Sequence, residues 1–273
     1  MSDMALLSIL FTAIIILYVL RYRESHISSN FVKTYQIGSA TTVGNREVQQ
    51  DCFSNKINKD AVLMVLADGI RQDGQIAAKL AVDTFENLFT DVHSVDKPQY
   101  FFKRAANAAN HKIISVLEER QGETSIAAVI VRNASLYYTL VGDCYIAVFR
   151  NGDLIPVSEG QTIDVLARHR YDEGKISKHT TLALLEEHRR YNVLGQDTFQ
   201  DIELFSKPLK LQKDDIIVMM TDGVFSVLRW IEIEEILSQE GTPQQFADRI
   251  IEAVNKSESI DKDNASIIIF RYE

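Results

Sequence analysis

Three apolar runs each close on an aspartate beside a glycine: VLMVLADG at Asp68, YYTLVGD at Asp143 and IIVMMTDG at Asp222. A fourth aspartate, Asp263, precedes the apolar run ASIIIF. An unpaired carboxylate is too costly to bury inside a strand, so these positions should gather negative charge at strand mouths, at one end of a sheet. Carboxylates crowded together stay ionised only beside positive charge, and such a cluster asks for a divalent cation. Arg46 stands five residues before Asp51 in NREVQQD, and its planar fork can clamp a pair of phosphate oxygens. Any single Asp-Gly is an ordinary turn signal; the recurrence in compatible contexts is what points to chemistry.

The elements that must hold these residues are legible in outline. Strand patterns occur at 35–42, 61–67, 126–131, 136–141, 145–150, 202–205, 215–220 and 265–271, several joined by turns short enough to demand antiparallel hairpins. Helical periodicity covers 75–89, where Ile76, Leu80, Phe85, Leu88 and Phe89 fall mostly on one face, and 98–119, where Phe102, Ala105, Ala109, Ile113 and Leu117 do the same. Further helices are expected at 163–168 or slightly beyond, at 231–239, and at 243–257, the last opened by Thr242 and Pro243. A polar stretch, 171–190, carries no clear period. Hairpins with paired helices in both halves predict an α+β fold, a four-layer α-β-β-α sandwich of two antiparallel sheets with helices on the outer faces.

Composition narrows the function. With 273 residues and 46% hydrophobic content the chain can bury one large core, and a net charge of -9 argues against broad nucleic-acid binding, which rests on a basic face. The two cysteines, Cys52 and Cys144, form no disulfide framework. Residues 4–20 are apolar except for Ser8, Thr12 and Tyr18, and Arg21 and Arg23 follow. That pattern predicts a transmembrane anchor over 1–23 with its arginine end in the cytoplasm, a single-pass cell-membrane protein with a cytosolic catalytic domain. A juxtamembrane linker is expected at 24–33 and the folded domain at 34–273.

The segments resemble, in order, the blocks of the bacterial-type metal-dependent protein phosphatases of the PPM, or type 2C, class. NREVQQD is similar to the block holding an arginine and a metal-binding aspartate, ADGI to the Asp-Gly block, and QGETSIAAVIV to the Gly-Ser/Thr-Thr strand. VGDCYIAVFRNGDL is similar to the Gly-Asp-Ser hairpin, MMTDGVF to the Ser-Asp-Gly block and DKDNASIIIF to the closing Asp-Asn strand. The resemblance implies a serine/threonine phosphoprotein phosphatase that uses two Mn²⁺ or Mg²⁺ ions. Asp51, Asp68, the carbonyl of Gly69, Asp222 and Asp263 would surround them, Asp143 would join Asp222 around a third, and Arg46 would hold the phosphate. Catalysis would fall to Arg46, Asp51, Asp68 and Asp222, with a metal-bridged water attacking phosphorus in line. The expected partners are a phosphorylated protein, such as a member of a membrane-associated kinase system, and the membrane itself through the N-terminal helix. The alternative is a catalytically silent phosphatase-like module that binds a phosphoprotein or partner at the membrane.

Three features depart from the family pattern or mimic another one. Asp68-Gly69 continues as Ile70-Arg71-Gln72-Asp73-Gly74, without the histidine that relatives place there, so no residue is assigned to protonate the leaving group. Gln50 stands where a glutamate is common, and Cys144 and Thr221 replace serines. Cys144 to Arg150 has the spacing of a cysteine-dependent tyrosine phosphatase, but YIAVF between them reads as a strand rather than a phosphate-cradling loop. The histidines lack zinc-ligand spacing, and the run Glu186-Glu187-His188-Arg189-Arg190 reads as a solvent-facing surface.

Overall fold

The run Ala61–Ile70 is buried on both faces, so it is covered twice, by a second sheet on one side and by two helices on the other. The computed structural model describes residues 12, 14–18, 35–58, 60–90, 96–199 and 201–273. In chain order the first half holds β1 (Tyr35–Thr42), β2 (Cys52–Asn58), β3 (Ala61–Ile70), α1 (Gly74–Phe89), α2 (Pro98–Leu117), β4 (Glu123–Arg132), β5 (Ser135–Val141), β6 (Tyr145–Arg150) and β7 (Asp153–Pro156). Then follow α3 (Ile163–Asp172), α4 (Lys178–Leu184), β8 (Glu203–Leu204), β9 (Leu209–Lys210), β10 (Ile216–Met220), α5 (Asp222–Phe225), α6 (Trp230–Leu237), α7 (Pro243–Lys256) and β11 (Ala265–Tyr272).

One sheet has the order β1-β11-β10-β6-β7, the other β2-β3-β4-β5-β8 with β9 also on β5, and every pair is antiparallel. Between the sheets Met64, Leu66 and Val129 meet Ile146, Met219 and Phe270. Outside, Leu63 and Ile130 lie under Phe85 and Phe102 of α1 and α2, while Val218 and Ile269 lie under Phe246 and Ile250 of α7. Each such buried side chain contributes about 1.5–3 kcal/mol. The expected sandwich of two antiparallel sheets between helices is therefore the observed architecture.

Three details differ from expectation. The strand expected to stop at Ala67 runs on, with Asp68 opposite Ser125 and Gly69 opposite Thr124. Asp68 thus lies inside a buried strand, which its partners described below make tolerable. Edge strand β2 escaped prediction because CFSNKIN is largely polar, as an exposed edge permits. The polar stretch 171–190 contains α4, started by Ser177, whose hydroxyl accepts the Thr180 amide at 3.1 Å. Among the described residues no helix is long and apolar enough to cross a membrane. The anchor expected over 1–23 and the linker at 24–33 lie almost wholly outside the described residues; within them, Ile14–Tyr18 are helical and exposed.

Candidate metal centre

The two sheets end side by side, and their ends carry the acidic residues. Asp68 comes from β3 in one sheet; Asp222 follows β10 in the other; Asp143 occupies the turn from β5 to β6, which crosses between them. That turn depends on Gly142, whose φ of +90° favours glycine and whose Cβ would stand 2.2 Å from Ser125 Oγ. Ser125 Oγ is so placed because it donates to Asp143 Oδ1 at 2.9 Å. Gly69 is equally constrained: a Cβ there would meet the Gly74 carbonyl carbon at 2.4 Å, so Gly69 and Gly74 pass backbone to backbone with no room for a side chain at either.

Asp51 is held from below. Thr221 Oγ1 donates to its Oδ2 at 3.0 Å and accepts the Ser266 amide at 2.9 Å, tying Asp51 to the ends of β10 and β11. Thr221, which replaces a serine of the family pattern, is thus a structural support. Asn264 completes the frame by accepting the Gln50 amide at 2.7 Å and donating to the Val43 carbonyl at 2.9 Å. Gln50 spends its own amide group on the Arg71 carbonyl at 2.7 Å.

One cation, Arg190, joins three of the aspartates. Its Nη2 lies 2.7 Å from Asp68 Oδ2 and 2.6 Å from Asp222 Oδ2, and its Nε stands 2.5 Å from Asp143 Oδ1. The side chain is only 22% exposed. The solvent-facing role expected for Arg190 is therefore corrected: its backbone is drawn inward by a β-bridge to Thr162 and, just downstream, by the Thr124–Leu194 bridge. Arg46, expected to be free for phosphate, instead spans Asp263 (Nε–Oδ1 3.0 Å, Nη2–Oδ2 3.1 Å) and Asp261 (Nη1–Oδ1 2.9 Å).

Electrostatics register the crowding. Burial first, then Asp222 and Asp263, push the Asp51 carboxyl up to about 7 despite the bonds from Ser266 and Thr221. Burial likewise raises Asp222 to about 6 against the pull of Arg190, and lifts Asp68 well above the usual carboxylate range. Asp263 is lowered: its partial burial acts the other way, but the bond from Arg46 prevails. Burial works against charge on Arg190, yet Asp68, Asp143 and Asp222 hold its proton more tightly than usual.

The donor set fits divalent ions. Asp51 Oδ1 is buried and meets no donor, a cost of about 1–3 kcal/mol or more that a cation would relieve. Carboxylates with a backbone carbonyl are the hard oxygen donors that Mg²⁺ and Mn²⁺ take. With Arg190 seated, no three acidic, histidine or cysteine side chains among the described residues already converge on one ion position. Asp51, Asp68, Asp143 and Asp222 nevertheless share one mouth, and Asp263 joins them electrostatically.

The sequence profile of the protein phosphatase 2C family matches residues 40–263, from β1 to the aspartate before β11. The chain belongs to the protein phosphatase 2C family. It is a protein phosphatase of that type. The serine/threonine phosphatase stp of Listeria monocytogenes is 22% identical over 228 residues, covering 80% of this chain and 86% of that protein. Among solved structures, the S. agalactiae serine/threonine phosphatase is similar with a TM-score of 0.75 at 20% identity, covering 88% of this chain and all of the other. The catalytic domain of the phosphatase PstP, in complex with two manganese ions, is similar with a TM-score of 0.68 at 20% identity, covering 87% of this chain and 98% of that one.

Within this type 2C phosphatase, several supporting residues gave little sign in the sequence. Gln161 and Asn192 are buried; Gln161 Oε1 accepts from the Gly142 amide at 3.1 Å and from Asn192 Nδ2 at 2.8 Å, locking the Asp143 turn to the segment that carries Arg190. The apolar NVLG that follows Arg190 was the available signal, because a segment tethered by Val193 and Leu194 cannot leave its neighbours in solvent. The cysteine alternative fails on geometry. Cys144 is fully buried and burial pushes its thiol well up, β6 fills the interval, and Arg150 is committed to Asp215 at 2.8 and 2.6 Å.

Proposed function

We propose that this phosphatase hydrolyses phosphoserine and phosphothreonine esters of proteins with Mn²⁺ or Mg²⁺ held by Asp51, Asp68, the Gly69 carbonyl, Asp222 and Asp263, and a third ion between Asp143 and Asp222. The observation that carries this is the meeting of Asp68, Asp143 and Asp222, from two different sheets, on a single cation within 2.7 Å. Bound there, divalent ions supply Lewis-acid activation of water and neutralise charge on the transferring phosphoryl group. Thr221 keeps Asp51 aimed at them, and Asn264 fixes the Gln50 turn. A cleft of about 790 Å³ opens beside Asp143 and Asp222, walled by Tyr145, Pro156, Val165 and Phe225, and suits the residues flanking a phosphorylated side chain. Calorimetric titration with Mn²⁺ followed by an aryl phosphate assay tests the reading. Tight metal binding without turnover would select the silent binding module instead.

Arg46 serves phosphate only by leaving Asp261 and Asp263, both exposed enough to accept water in its place. Arg46→Ala should raise KM for an aryl phosphate roughly tenfold with kcat little changed, since a bond to a charged group is worth about 1.5–3 kcal/mol. An unaltered KM in steady-state assays removes the clamp.

The loop after Asp68 lacks the histidine expected there from the family resemblance, and its Arg71 is turned away to Glu123 at 2.9 Å. No acid is therefore assigned to the leaving alkoxide, and turnover should be good for an aryl ester and slow for a phosphoseryl peptide. A dependence on leaving-group pKa as shallow as that of a histidine-bearing relative would count against this.

The exposed apolar helix at Ile14–Tyr18 supports a further part of the proposal: a single-pass anchor over 1–23 that keeps the catalytic domain in the cytoplasm near membrane-associated kinase substrates. Removal of residues 1–23 should move the activity from the membrane to the soluble fraction; fractionation that finds the intact chain soluble excludes the anchor.

A further inference from the structure

We propose that Arg190 is the resident cation of the metal centre and that divalent ions load by exchange with its guanidinium. The inference rests on the reading of Asp68, Asp143 and Asp222 as metal ligands. One nitrogen, Nη2, binds Asp68 from one sheet and Asp222 from the other at 2.7 and 2.6 Å, so it stands where an ion shared by those two oxygens would stand, and Nε lies 2.5 Å from Asp143. An ion seated between the Asp68 and Asp222 oxygens would overlap Nη2, which already lies between them. An arginine cannot yield by losing its proton, so it has to move. It has somewhere to go: Arg190 borders a second cleft of about 510 Å³, together with Arg71, His188 and Gln196, that opens from Asp143 and Asp222.

The exchange couples the centre to the segment that carries Arg190. Its backbone bridges Thr162, immediately before α3; the Ile163 amide bonds the Arg189 carbonyl at 3.0 Å, and the Asp164 amide the Glu187 carbonyl at 3.2 Å. Residues 163–190 are thus closed on themselves as one loop of α3 and α4, and the Arg190 side chain ties that loop inward to the aspartates. Seated, the guanidinium pins this loop over the centre; displaced, it releases it. The carboxylates gain by the exchange, because a dication neutralises more of their charge than a guanidinium does.

Calorimetric titration with Mn²⁺ of the full chain and of Arg190→Gln tests the exchange without an activity readout. A ligand whose competent state is populated to a tenth or less appears at least about tenfold weaker, so Arg190→Gln should bind Mn²⁺ about tenfold more tightly or better. Arg190→Lys, which keeps a charge but loses the fork, should fall between. In the unmodified chain Mn²⁺ should also speed hydrogen exchange of amides in 163–190. Equal or weaker Mn²⁺ binding by Arg190→Gln, or unchanged exchange in that loop, overturns the proposal while leaving the metal centre intact. Absence of Mn²⁺ binding in all three proteins overturns the metal reading and the exchange with it. Should Arg190→Gln fail to fold, the Lys variant and the exchange measurement still decide.

Discussion

Asp68→Asn and Asp222→Asn each abolish Mn²⁺-dependent release of phosphate from an aryl phosphate, with kcat/KM falling by at least about 10²–10³-fold, the loss that follows removal of a single group stabilising developing charge. The two residues reach the centre by different routes. Asp68 is the eighth residue of β3, paired with Ser125, and its carbonyl accepts from Thr124 Oγ1 at 2.8 Å. Asp222 opens α5 at the end of β10, where a Cβ on Gly223 would meet the Asn264 carbonyl at 2.0 Å, so the helix can start only against β11. Asparagine keeps shape and one acceptor at each site, so folding should survive, as circular dichroism would show. What disappears is the charge. Full activity in both variants would falsify the metal mechanism.

The metal-free protein should be more stable at pH 5.5 than at pH 8, and Mn²⁺ should reverse that order. The Asp51 carboxyl titrates near 7 in the fold against 3.8 in the unfolded chain, so the native state holds a proton that the unfolded state has already released. Stability is then undiminished below about pH 4, declines as pH rises through the interval to 7, and stays reduced above it, by on the order of 4 kcal/mol for about three pK units. Asp51→Asn removes the ionisation. Its amide would inherit the unpartnered Oδ1 position, costing about 1–3 kcal/mol, so the metal-free variant should gain about 1–3 kcal/mol at pH 8. That is a rise of several degrees in melting temperature at about 2–4 °C per kcal/mol. The same variant should lose most of the stabilisation that Mn²⁺ confers on the parent. Melting curves at both pH values, with Mn²⁺ and with chelator, check both; a variant less stable than the parent at pH 8 without metal shows that Asp51 is satisfied by something other than an ion.

These two residues show how far reading along the chain reaches. Asp68 and Asp222 were found because apolar runs that end on aspartate are visible without a structure, and the runs themselves became β3 and β10. The end of β3 was misjudged, since nothing local shows that Thr124 and Ser125 will keep pairing past Ala67. β2 was missed because an edge strand half in solvent has no apolar face to display. Arg190 was misread because its neighbours in sequence are charged, whereas its neighbours in space are acidic.

The sequence by itself determined the alternation of strands and helices, the family, and which carboxylates stand at strand ends, because burial imposes apolar periodicity and charge is expelled to the ends of what is buried. Only the tertiary structure decided that Arg190 joins Asp68, Asp143 and Asp222, that Asp51 is left with a buried, unpartnered oxygen, and that Arg46 is held by Asp261 and Asp263. Ion pairs between residues distant along the chain depend on where two sheets end relative to one another, and that distance is fixed by packing, not by spacing in the sequence.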